Sequence, residues 1–97
     1  MNPIFKYSNP YIVFDRARKL FGNNVKIDIS DKPNKKYKIY DPNNKKWVYF
    51  GLIPYQDFTY HGDEDRRRRY LARATNMNGN WRDNPYSANN LSIHLLW

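Results

Sequence analysis

Between Asp57 and Arg73 the chain reads D-F-T-Y-H-G-D-E-D-R-R-R-R-Y-L-A-R, its densest run of residues able to do chemistry. One chemistry is proton transfer or metal holding by His61, flanked by Asp57 and Asp63. A single histidine without a second ligand at metal-binding spacing argues against it. Asp57 and Thr59 suit the capping of backbone groups, and His61 suits a hydrogen bond to a carbonyl. The expectation is therefore a structural polar knot of Asp57, Thr59, His61 and Asp63, with no catalytic residue, metal or cofactor.

The second chemistry is phosphate binding, because guanidinium forks match phosphate oxygens in pairs. Against it stand the acids just upstream. At i,i+4 spacing Asp63–Arg67, Glu64–Arg68 and Asp65–Arg69 would pair on a solvated helix, each stabilising it by roughly 0.2–0.5 kcal/mol. Arg66 and Arg73 are left without such partners and become the expected contacts. A third candidate lies upstream, where Lys26, Lys35, Lys36, Lys38, Lys45 and Lys46 interleave with Tyr40 and Trp47. Cations beside rings on a strand surface can track a phosphate backbone and stack on bases. The same pattern also fits a solvated sheet face whose lysines deter edge pairing.

These residues need elements to hold them. Asn9-Pro10 is a helix start, and Tyr11, Phe14, Ala17, Arg18 and Phe21 recur at helical spacing up to Gly22. Val25 to Ile29 alternates as a half-buried strand. Tyr37–Tyr40 and Trp47–Ile53 form a hairpin across the Asp41-Pro42-Asn43-Asn44 turn. Gly51 inside the last strand marks a bulge or a close backbone approach. Asp63 caps a helix to about Asn76, and Ser87 caps another through Leu95. Met1 to Ser8 reads as an arm, with Ile4, Phe5 and Tyr7 packing on the core; Trp81 sits in the Met77–Pro85 loop as an anchor. The predicted fold is a single α+β domain over residues 1–97. About three helices pack on a three-stranded antiparallel sheet.

Composition narrows the partner class. The 97 residues hold 17 Lys and Arg against 9 Asp and Glu, a net charge of +8 that favours polyanions. All the lysines precede residue 62, so the larger excess lies around the middle strands. Aromatic residues make up 18% and must supply much of the core. Cysteine is absent, which fits a reducing compartment. Neither a membrane-spanning run nor a secretory leader is seen, so a soluble, intracellular, non-secreted protein is expected, with no membrane partner.

The motifs F-G at Phe50-Gly51, D-F-T-Y-H-G-D at Asp57 to Asp63 and R-R-R-R-Y-L-A-R at Arg66 to Arg73 carry a resemblance. With Trp81, N-P-Y-S at Asn84 to Ser87 and L-S-I-H-L-L-W at Leu91 to Trp97, they resemble a family of small uncharacterised proteins of large eukaryotic DNA viruses. Ala74 stands where that family carries a second histidine. The resemblance implies a viral origin, in the virion or the cytoplasmic viral factory, and no activity.

Three functions follow as expectations. The first is non-specific nucleic-acid binding, DNA ahead of RNA, through the lysine hairpin with Arg66 and Arg73, in genome packaging. The second is a structural virion role, with Leu95, Leu96 and Trp97 docking on other virion proteins or a second copy. The third and least supported is a metal-dependent nuclease at Asp57, His61 and Asp63.

Overall fold

The computed structural model describes residues 3–79 and 81–97; Met1 and Asn2 of the expected arm and Asn80 of the Trp81 loop lie outside them. The fold is α+β, with a three-stranded antiparallel sheet and helices packed around it.

Helix α1 (Pro10–Phe21) begins where Asn9 accepts the Tyr11 amide through its side chain and Pro10 takes the first turn, where a missing N–H costs nothing. Its inward stripe is Pro10, Val13 and Ala17, flanked by Phe14 and Phe21. The face is rotated from the expected one, since Tyr11 is 76% exposed and rests against the exposed Phe5 ring. Ile4 is the arm residue that enters the core.

Strand β1 (Ile27–Ile29) is shorter than its alternating run and pairs with β2 (Lys35–Asp41), which pairs with β3 (Lys46–Leu52). The turn closes on Asp41, whose carboxylate accepts the Asn43 and Asn44 amides and the Asn44 side chain. Those bonds, the Asn44 side chain foremost, hold its pKa below the ordinary carboxylate value. In the hairpin register Tyr37 faces Phe50 and Ile39 faces Val48, which sets one face toward the core. Ile4, Val13, Tyr37, Ile39, Phe50 and Leu91 meet there, together with Leu95 and Leu96.

Helix α2 (Phe58–His61) is one turn long; Asp57 caps its start and the left-handed Gly62 ends it. Helix α3 (Glu64–Thr75) follows at once, with Asp63 accepting the amides of Asp65 and Arg66. Helix α4 (Ala88–Leu91) starts at Ser87, whose hydroxyl accepts the Asn90 amide, and runs into a π-helical turn, Ser92–Leu96. That turn corrects the expected docking end: Leu95 and Leu96 are 0% and 1% exposed. With Leu91 they occupy i, i+4 and i+5, and all three enter the core.

α3 carries few aliphatic residues and buries only Ala74. It is held instead by polar and ring contacts with the C-terminal segment. Arg67 Nε donates to the Trp97 oxygen at 2.9 Å, Tyr70 stacks on Trp97 at 4.2 Å, and Asn89 donates to the Ala74 carbonyl. A helix with so little to bury does not close down on the sheet, and a cleft remains between them.

Candidate functional site: a buried ion pair beside a cationic cleft

The polar knot exists, with a different membership. Asp57 is fully buried, and its Oδ2 meets Lys36 Nζ at 3.2 Å. Its Oδ1 accepts both the amide and the hydroxyl of Thr59. Because the Thr59 proton goes to Asp57, Ser8 donates to Thr59 and Tyr37 donates to Ser8, at 3.1 and 2.7 Å. A buried relay, Tyr37–Ser8–Thr59–Asp57–Lys36, thus ties the N-terminal arm and β2 to the loop after β3. The Asp57 amide donates to the Tyr7 carbonyl and the Asn9 amide to Thr59 Oγ1, closing the seam. Burial pushes the Tyr37 phenol well above its usual range. It also pulls the Lys36 ammonium down, with Asp57 opposing that shift.

Lys36 is therefore corrected as a nucleic-acid contact. At 2% exposure its ammonium is committed to Asp57. Its stem also explains Gly51, whose φ of +79° suits glycine. A Cβ on Gly51 would lie 3.0 Å from the Lys36 Cβ and Cδ and from Leu96 Cδ1.

His61 and Asp63 form a separate link at the start of α3. The expected bond from His61 to a carbonyl is not the one made: Nδ1 accepts the Asp63 amide at 2.9 Å, so the proton sits on Nε2. Nε2 is buried without a partner among the described residues, near the Trp97 ring. Asp57 faces Lys36 and Asp63 caps a helix, so the three do not converge on one point as nuclease ligands would. Among the described residues no group of three or more His, Asp or Glu could hold a metal ion.

Burial, and then Arg66, lower the pKa of His61. An unfolded chain binds the proton near pH 6.5, while the folded chain resists it to lower pH. Stability contributed by neutral His61 is thus expected to fall as pH drops below about 6.5. Urea unfolding at pH 7.5 and 5.5 checks this. The loss between them should shrink in His61→Gln, which keeps an acceptor for the Asp63 amide; an undiminished loss would exclude His61 as its source.

The cleft is the second feature. It encloses about 1070 Å³ between the β2–β3 end, α3 and the C-terminal segment. Lys35, Arg66, Arg69 and Arg73 line it beside the stem of Lys36, and among the described residues no aspartate or glutamate does. The arginines stand at i, i+3 and i+7, so one stripe of α3 faces the cavity. Their freedom follows from how the acids are used. Asp63 is spent on the cap, and the ion pairs form at i,i+3 rather than the expected i,i+4: Arg67–Glu64 at 3.9 Å and Arg68–Asp65 at 2.8 Å. Arg69 is left unpaired beside Arg73, and neither side chain has a hydrogen bond or ion pair among the described residues. Arg66 reaches the Gln56 side-chain oxygen at 3.3 Å. Sequence spacing marked Arg66 and Arg73 but missed Arg69, Tyr55 and Gln56; only the i,i+3/i,i+4 ambiguity of Asp65 hinted at Arg69.

The hairpin lysines take other places. On the outer sheet face Lys26, Lys38 and Lys32 lie over the rings of Tyr40, Trp47 and Tyr49 at 5.5, 4.9 and 4.1 Å. Asp31 sits among them, accepting from the Tyr49 hydroxyl and 3.9 Å from Lys38. Part of that charge is thus compensated, and each ring already carries a cation. Lys45 and Lys46 are exposed at the hairpin turn, and Lys35 joins the cleft. Trp97 is half-buried against Tyr70, and Trp81 donates to the Met77 carbonyl under the Arg82 guanidinium.

Fold and site together define a small α+β domain with an internal ion-pair seam and a cleft lined by cations. The chain belongs to a family of unknown function (DUF5754), whose model matches residues 25–74, from just before β1 nearly to the end of α3. No curated protein and no solved structure matches it.

Proposed function

We propose that this protein binds nucleic acid through the sugar–phosphate backbone, without reading sequence, and that the arginine stripe of the cleft is its principal grip. The observation behind this reading is the run Arg66, Arg69 and Arg73 lining a cavity with Lys35 and, among the described residues, no aspartate or glutamate. At about 1.5 Å rise per residue the stripe spans about 10.5 Å, room for about two or three consecutive phosphates. Lys45 and Lys46 at the hairpin turn, with Lys38 on the outer face, add long-range attraction. The motif resemblance to proteins of large DNA viruses makes a viral genome the natural ligand, DNA ahead of RNA, and packaging the natural setting. A docking role for the C-terminal end has less support, since Leu95 and Leu96 are inside the fold.

The test is a titration of the protein with single-stranded DNA, duplex DNA and RNA at several salt concentrations, followed by tryptophan fluorescence. Binding that weakens linearly in log–log form with salt, by several released counterions, is expected. Absence of binding at low salt would overturn the proposal.

A further inference from the structure

The stripe on α3 forms one wall of the cleft. Arg66, Arg69 and Arg73 line the cleft together with the Gly51–Leu52 end of β3; Arg66 is half-buried, and Arg69 and Arg73 are exposed. A recognition helix that enters a duplex groove must present its cations outward, so that the helix goes into the DNA. Here the cations belong to the wall of a concave site, which a polyanion fills by entering it. A duplex is too wide and too stiff to do so, whereas one strand can thread a cavity of about 1070 Å³.

The cleft also offers a ring. Tyr55, 68% exposed, lines it beside the arginines. Of the other rings there, Phe50 is buried in the core and Tyr70 and Trp97 are stacked on each other, which leaves Tyr55 as the open platform. A cationic groove with a free aromatic ring suits single-stranded nucleic acid, where bases are unpaired and able to stack.

We infer that the cleft takes a single-stranded segment, its phosphates along Arg66, Arg69 and Arg73 and one base on Tyr55. This rests on the nucleic-acid reading above and narrows its ligand. A distinct role follows for each group: the arginines set the salt dependence, and Tyr55 sets the preference for unpaired bases.

The experiment compares a labelled deoxythymidine oligomer of about twelve nucleotides with a duplex of equal length at one salt concentration. It uses the full chain, Tyr55→Ala and Tyr55→Phe, with inorganic tripolyphosphate as competitor. The inference expects the single strand to bind at least about tenfold tighter than the duplex. Tyr55→Ala should cost roughly fivefold or more in single-strand affinity, with the salt slope unchanged, and Tyr55→Phe should restore it. Tyr55 is exposed, so the variants should keep the fold. Equal affinity for strand and duplex with a silent Tyr55→Ala would overturn the inference and leave backbone binding standing. Displacement by tripolyphosphate at matched phosphate concentration would also overturn it, marking a site for compact polyphosphates. Binding of neither nucleic acid would remove the parent reading as well.

Discussion

Replacing Asp57 by alanine is expected to be the most damaging single change in the chain. It removes the partner of a buried ammonium, and leaving one charge of a buried pair unmatched costs on the order of 3–5 kcal/mol. It also removes the cap of α2 and the acceptor for the Thr59 amide, adding about 1 kcal/mol. For a domain of this size the melting temperature should fall by at least about 12 °C. The ion pair itself need not be a large net gain, because desolvation offsets most of its attraction. The double variant Lys36→Met with Asp57→Asn, which keeps an oxygen for Thr59, should therefore recover most of the loss. Thermal unfolding of the single and double variants decides it. A double variant as unstable as the single would mean that the seam is held by something other than charge balance.

The second large effect concerns binding. Changing Arg66, Arg69 and Arg73 together to glutamine should lower single-strand affinity by on the order of tenfold to a hundredfold. Only Arg66 has a side-chain partner among them, so the fold should tolerate the change. Neutralising Lys38, Lys45 and Lys46 should have a smaller effect, as Lys38 already sits by Asp31 and over Trp47. The double variant Lys36→Met with Asp57→Asn should not weaken binding, since the Lys36 ammonium lies within the seam. Equal losses from the lysine and arginine sets would shift the grip to the hairpin.

What the sequence revealed and what it hid divide by distance along the chain. The caps at Asn9, Asp63 and Ser87 were legible because each side chain answers an amide two or three residues on. The hairpin was legible for the same reason, its turn closed by Asp41 onto its neighbours. The demand for glycine at position 51 could also be read, though its cause, the Lys36 stem and Leu96, could not. Lys36 was the hard residue. Nothing local distinguishes it from Lys35 or Lys38, and its fate is decided by a carboxylate 21 positions away. Ser8 and Tyr37 were hidden equally, since the relay joins three distant segments. Arg69 was masked by a small local choice, Asp65 turning to Arg68 instead of Arg69. At the C-terminus the π-helical turn sent Leu95 and Leu96 inward, which no regular helical period foretells.

Charge at the cleft is the centre of the functional account, and counterion release reads it directly. The decisive measurement is the slope of log affinity against log salt for one single-stranded oligonucleotide, taken with the wild-type chain and with the Arg66, Arg69 and Arg73 to glutamine variant. Each lost phosphate contact reduces the slope by about 0.7, so the variant should be shallower by roughly 2. Parallel lines for the two proteins would contradict the account and remove the cleft from the binding surface.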